Sequence, residues 1–233
     1  MEKIRPLLIK EGASEVGFAD LRETELQEKL GYPFGISIAV ALNPLSLKGV
    51  ERGPTKGYHR EYERVNKMLD DLSLSGAKLL TDNGFRSKSF AATNEGFVPN
   101  LKHTTYLPHK TLSTLSGMGW IGKCALLVTE KYGSAIRLTS ILTEYEIEGG
   151  VPIKSSNCSS CEECVRSCPG KAPNGKEWSM GKKREEFFDP DACRGSARKL
   201  ALERTGIHET FCGICIAVCP WTKKYINRVT NDS

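Results

Sequence analysis

The chain has 233 residues, with 33 Lys and Arg against 28 Asp and Glu, a formal charge of +5 and nine cysteines. That length suits one large domain or a medium domain beside a small one, and 39% hydrophobic with 26% charged residues argues against disorder. No apolar run approaches the roughly 20 residues that span a bilayer, and Pro6 to Ile9 is shorter than the about 7–15 residues of a signal-peptide core, so a cytoplasmic protein without membrane contact is expected.

In chain order, residues 2–12 read as helix and Ser14 to Ala19 as a short strand. Leu21 to Leu30 is charged and amphipathic, a helix stopped by Gly31 and Pro33. Gly35 to Leu42 is short, apolar and partly β-branched, which predicts a buried strand. From His59 to about Leu80, apolar Tyr62, Val65, Leu69 and Leu72 recur at helical steps, and Asn83-Gly84 supplies a left-handed stop. Arg86 to Ala91 reads as a strand. Residues 92–107 have no period and predict a long, functional loop. Lys110 to Ser116 is a short helix. Ala125 to Thr129 and Ala135 to Thr143 read as strands joined by the turn at residues 130–133. The pattern is α/β with mixed strands. The polar, turn-rich stretch 148–157 marks a boundary, giving a core domain over 1–150 and a second domain over 151–233.

The cysteines are concentrated in that second domain. Only Cys124 precedes residue 158. A secreted disulfide scaffold would be shorter and evenly stapled, so clustered thiols point to metal. The first run is Cys158-x2-Cys161-x2-Cys164-x3-Cys168-Pro169, the spacing of a bacterial two-cluster ferredoxin. The second is Cys212-x2-Cys215-x3-Cys219-Pro220, with Cys193 available as its missing member. In such pairs the fourth cysteine of a run serves the other cluster. One 4Fe-4S cluster therefore takes Cys158, Cys161, Cys164 and Cys219. The other takes Cys168, Cys193, Cys212 and Cys215. Zinc prefers separated C-x2-C knuckles, which this spacing is not. The domain is an electron conduit, and an electron donor such as a ferredoxin or flavodoxin is its expected partner.

Further residues carry a family resemblance. Gly117-Met118-Gly119-Trp120-Ile121-Gly122-Lys123, Tyr132-Gly133-Ser134 and Ile141-Leu142-Thr143, with the cysteine runs and Cys219-Pro220-Trp221, resemble the epoxyqueuosine reductases. Tyr58-His59 is a weaker match. The resemblance implies a nitroreductase-like, cobalamin-binding α/β core ahead of the two-cluster domain, and a relation to reductive dehalogenases. It implies that Gly117, Gly119, Trp120, Gly122, Lys123, Cys124, Gly133 and Ser134 lie near a corrinoid. Three departures stand out. Where the family has the acid of an Asp-Thr-x-Pro motif, this chain has His103. Where Asn follows the lysine, it has Cys124. The helical repeats that bind tRNA in the family do not follow Cys219.

His103, His109 and Tyr106 are the candidate proton donors in place of that acid, since imidazole titrates near neutrality. Loop packing is the alternative role for each, and a small buried residue is the alternative for Cys124. Two functions compete. The first is a cobalamin-dependent iron-sulfur reductase acting on a small molecule or nucleoside, with tRNA disfavoured by the missing acid and repeats. The second is an electron-transfer protein that reduces a partner enzyme.

Overall fold

The computed structural model describes residues 4–93 and 105–231. In chain order the elements are α1 (Ile4–Lys10), β1 (Glu15–Asp20), α2 (Glu25–Leu30), β2 (Phe34–Ala41), α3 (Lys56–Asp82), β3 (Ser87–Phe90), α4 (His109–Leu115), β4 (Trp120–Ile121), β5 (Leu127–Val128) and β6 (Ile136–Thr143). Then follow α5 (Glu163–Ser167), α6 (Pro190–Thr205), α7 (Ile214–Ala217) and α8 (Pro220–Asn231). The fold is mixed α/β. Among the described residues, no helix is long and apolar enough to cross a membrane.

The chain forms two compact units. One comprises Met1–Ala41, Arg64–Gly119 and Arg137–Ile153; the other comprises Leu42–Glu63, Trp120–Ile136 and Lys154–Ser233. The units interleave along the chain, so two early segments, 42–63 and 120–136, belong with the cysteine-rich end. A single cut near residue 150 does not describe them.

The first unit is built on a four-stranded sheet in the order β1-β2-β6-β3. β1 pairs antiparallel with β2, from Glu15 opposite Ala39 to Asp20 opposite Phe34. β3 pairs antiparallel with β6, Ser87 opposite Thr143. Every residue of β2 from Phe34 to Val40 is buried, the mark of a strand covered on both faces. Small residues let the helices close on the sheet. A Cβ on Gly35 would sit 2.5 Å from Leu112 of α4, and one on Gly76 of α3 would sit 2.6 Å from Ile141 of β6. The predicted stripe on α3 holds at Val65, Leu69 and Leu72, at 0–2% exposure, while Tyr62 at its start is only half-buried.

Among the described residues, the second unit pairs a small hairpin with α5, α6, α7, α8 and the first turns of α3. β4 and β5 are antiparallel, Trp120 opposite Val128 and Ile121 opposite Leu127. Helix α6 has its ends written in the sequence. The Asp189 carboxylate accepts from the Asp191 and Ala192 amides, Pro190 opens the helix, and Gly206 closes it at φ 75°.

Two readings change, one of a strand pair and one of a helix boundary. Residues 125–129 do not pair forward with 135–143; β5 pairs back onto β4, and β6 joins the large sheet. The cause is a tight turn in the glycine run, where the Ala125 amide donates to the Gly122 carbonyl at 2.8 Å. Residues 21–24 lie ahead of α2 rather than within it. Thr24 is its N-cap, accepting from the Gln27 amide, which suits a short hydroxyl side chain better than a helical position.

Candidate metal centre

The eight cysteines of the two runs all fall in the second unit, and each is partly exposed. Cys168, Cys193 and Cys212 are near enough to act on one another electrostatically, although the first and last are 44 positions apart in the sequence. Burial pushes the Cys193 thiol up to about 11, with Cys168 and Cys212 adding to it. Burial also raises Cys212, opposed by a hydrogen bond from the Ile214 backbone. These three are ligands expected to share the second cluster. The Ala172 amide donates to Cys168 Sγ at 3.4 Å.

The loops around these thiols depend on special backbone. Gly213, between Cys212 and Cys215, has φ 83°, and a Cβ there would meet Val50 at 2.7 Å and Tyr58 at 2.9 Å. Ser159 (φ 49°), beside Cys158, and Lys171 (φ 50°), three residues after Cys168, adopt left-handed conformations that non-glycine residues rarely enter. Tyr58 and His59, in the first turn of α3, lie against the second cysteine run. The His59 ring is 4.6 Å from that of Phe211, and Nε2 is 3.0 Å from Glu209 Oε2. Its Nδ1 is 3.3 Å from Glu63.

The end of the glycine run, from Trp120, enters the β4–β5 hairpin. Lys123 and Cys124 are the central residues of its turn. Both side chains are buried, at 5% exposure each. Lys123 Nζ donates to the carbonyls of Ser159 at 2.8 Å and Cys161 at 3.1 Å. Cys164, Cys215 and burial act together on the Cys124 thiol: Cys164 lowers its pKa, and Cys215 and burial outweigh it and hold the thiol well above its usual range. Cys164 is raised chiefly by Cys124 and then by burial. A Cβ on Gly122 would lie 3.4 Å from Cys158 Sγ.

Gly133 and Ser134 meet α8. At φ 60°, a Cβ on Gly133 would be 2.2 Å from the Thr222 amide nitrogen, and the Ser134 amide donates to Thr222 Oγ1 at 3.1 Å. Trp120 packs edge-on against Trp221, with centroids 5.3 Å apart. Trp120 Nε1 and Ser156 Oγ are buried with no hydrogen-bond partner among the described residues, a state expected where an acceptor-rich group completes a site. The donor set therefore fits iron-sulfur clusters.

Gly117 lies in the first unit, where it lines a cavity of about 530 Å³ with Met118, Arg5 and Glu15. Gly119 is buried in that unit. Of the candidate proton donors, His103 lies outside the described residues. Tyr106 is 54% exposed. His109 opens α4, half-buried, with Nδ1 2.8 Å from Ser140 Oγ and Nε2 2.9 Å from the Ala91 carbonyl. Burial, aided by the charge of Arg137 and opposed by the Ala91 bond, lowers its pKa to about 4.

Residues 157–222 match the family described as a 4Fe-4S double cluster binding domain. Over 233 aligned residues, an epoxyqueuosine reductase of Listeria monocytogenes serovar 1/2a is 28% identical, covering 95% of this chain and 52% of the relative. This chain is similar to the epoxyqueuosine reductases. It spans about half the length of such relatives. A solved catabolic reductive dehalogenase in complex with 3-bromo-4-hydroxybenzoic acid superposes with a TM-score of 0.71 at 17% identity, covering 95% of this chain and 31% of that one. An epoxyqueuosine reductase bound to an epoxyqueuosine-modified tRNA-Tyr stem loop superposes at 0.59 and 20% identity, covering 95% and 65%. These likenesses establish a shared fold. The C-terminal segment of this epoxyqueuosine reductase-like chain is a double 4Fe-4S cluster domain, with the cysteine spacing of a two-cluster ferredoxin.

Proposed function

We propose that the chain is an iron-sulfur oxidoreductase. One cluster is held by Cys158, Cys161, Cys164 and Cys219, the other by Cys168, Cys193, Cys212 and Cys215. Electrons from a ferredoxin- or flavodoxin-type donor pass through the pair to an acceptor. The observation that carries this reading is the gathering of Cys168, Cys193 and Cys212 in one unit across 44 residues of sequence. Bound clusters supply one-electron chemistry at low potential. The chain's own residues supply the thiolates, the Lys123 clamp and the Gly213 turn.

The resemblance names a corrinoid in a nitroreductase-like core as the acceptor, and a small molecule or nucleoside as the substrate. The cavity beside Gly117 is of a size that takes a small ligand. The other implied corrinoid contacts fit less well. Lys123, Cys124, Gly133 and Ser134 are engaged with the cluster loops and α8. Those engagements favour a second reading, electron transfer to a partner enzyme, and no step here runs through a corrinoid.

Anaerobic purification tests both. About eight iron and eight sulfide per chain are expected; stoichiometric zinc would overturn the cluster reading. Cobalt in the preparation, or a corrinoid spectrum after adding cobalamin, supports the reductase. Neither appearing leaves the electron-transfer protein.

A further inference from the structure

We propose that His59, Glu63 and Glu209 form a binding site for a divalent cation, separate from the two cysteine runs. All three belong to the second unit. The site uses none of the eight cysteines, so it stands or falls independently of the cluster reading.

His59 and Glu63 are one turn apart on α3, a spacing that puts both side chains on one face. Glu209 comes from the segment that leads into Cys212, 150 positions from His59 in the sequence. His59 Nε2 is 3.0 Å from Glu209 Oε2, and Nδ1 is 3.3 Å from Glu63 Oε2. One ligand atom from each residue lies within 4.8 Å of the other two.

This arrangement calls for positive charge. A neutral imidazole donates from one nitrogen only, yet each ring nitrogen here faces a carboxylate oxygen. On a neutral ring, one of the two contacts sets lone pair against lone pair. Among the described residues, no Lys or Arg forms an ion pair with either glutamate. A dication cancels the two carboxylate charges. Metal–ligand bonds of about 2.0–2.2 Å place neighbouring ligand atoms about 3 to 3.6 Å apart, the range of the His59 contacts. The ring gives the ion one nitrogen, and the exposed glutamates close on it. One imidazole with two carboxylates suits Mn2+, Fe2+ or Zn2+.

The imidazole is set in place beforehand. Its side chain is 8% exposed, its ring lies 4.6 Å from that of Phe211, and its amide donates to the Thr55 carbonyl at 3.0 Å. Next to it, Tyr58 packs so closely that a Cβ on Gly213 would meet it at 2.9 Å. The buried ring is thus the fixed ligand, and the exposed glutamates give the ion its path from solvent. An ion held there ties the start of α3 to the segment ahead of Cys212.

The test titrates the cluster-loaded full chain with Mn2+ alone, anaerobically, following the paramagnetic resonance of the free ion. About one Mn2+ per chain is expected, with imidazole-nitrogen coupling in the pulsed spectrum. Glu63→Gln and Glu209→Gln change exposed side chains. They are expected to keep the wild-type iron content and to weaken binding by at least about tenfold. His59→Gln is expected to abolish the nitrogen coupling; if it fails to fold, the glutamate variants carry the test. His208→Gln, at an exposed neighbour, is expected to bind as the wild type does. No Mn2+ bound by the wild type up to about 1 mM overturns the proposal. So does binding unchanged in both glutamate variants, or a bound ion without nitrogen coupling. Iron-poor wild type that still binds Mn2+ through these residues sinks the cluster reading and supports this site.

Discussion

In the sheet unit, β2 buries seven successive residues, and Leu8, Ile36, Leu69 and Leu112 are fully enclosed. In the cysteine unit, no residue from 154 to 170 is buried, yet that stretch carries four of the eight proposed ligands. Its shape is held from outside by the Lys123 clamp and by left-handed turns. One unit is organised by apolar burial and keeps its geometry through packing. The other arranges thiols that repel one another when ionised, so bound metal is the element that makes their proximity favourable.

The largest way to break this contrast is to remove the metal. Chelation under reducing conditions is expected to release the iron and open the 154–219 region to proteolysis. The sheet unit should retain its circular-dichroism signal. Cys168→Ser is expected to lose about half the iron, since it removes a ligand of one cube only. Equal loss of both units on chelation would show that the sheet unit also depends on the clusters.

The contrast also explains what is legible in the sequence. Cluster ligands follow a spacing rule, because a cube fixes the distance between its corners, so the two cysteine runs stand out from their intervals, and the proposed grouping adds Cys193 as the remaining member. The stripe on α3 and the buried β2 follow from period alone. The β4–β5 hairpin escapes such reasoning because its strands are two residues each, too short for a period, and its glycines read equally well as a cofactor loop. The caps of α6 at Asp189-Pro190 and Gly206 are local signals of the ordinary kind, overshadowed by the cysteine pattern around them. The partners of Lys123 and Ser134 lie 36 to 88 residues away, and nothing local encodes them.

Backbone closure is the next target. Gly133→Ala would drive a methyl to 2.2 Å from the Thr222 amide, and Ala disfavours the observed φ of 60°. A loss of about 2–4 kcal/mol is expected from overpacking and strain together, read by urea denaturation of the loaded protein. A loss below about 0.5 kcal/mol would mean that α8 and the Gly133 turn separate easily. Lys123→Met comes lower, at about 2–3 kcal/mol, because it leaves the Ser159 and Cys161 carbonyls without their charged donor. Its distinguishing readout is slower cluster reconstitution with the sheet unit unperturbed.

The smallest effect belongs to the sheet unit and runs on pH. His109 is held neutral, its pKa lowered from 6.5 to about 4, chiefly by burial. The unfolded chain therefore binds a proton between those values that the folded chain refuses. Stability from this group is complete above about pH 6.5 and is lost as pH falls toward 4. The side chain is only half-buried, so about 1 kcal/mol is expected between pH 7 and pH 5 after allowance for screening. His109→Gln keeps a polar side chain near Ser140 and the Ala91 carbonyl but cannot titrate. Its urea midpoint should fall less than that of the wild type over this interval. Parallel pH profiles for the two proteins would remove His109 as the source. A wild-type profile that improves on acidification would mean the ring is protonated in place.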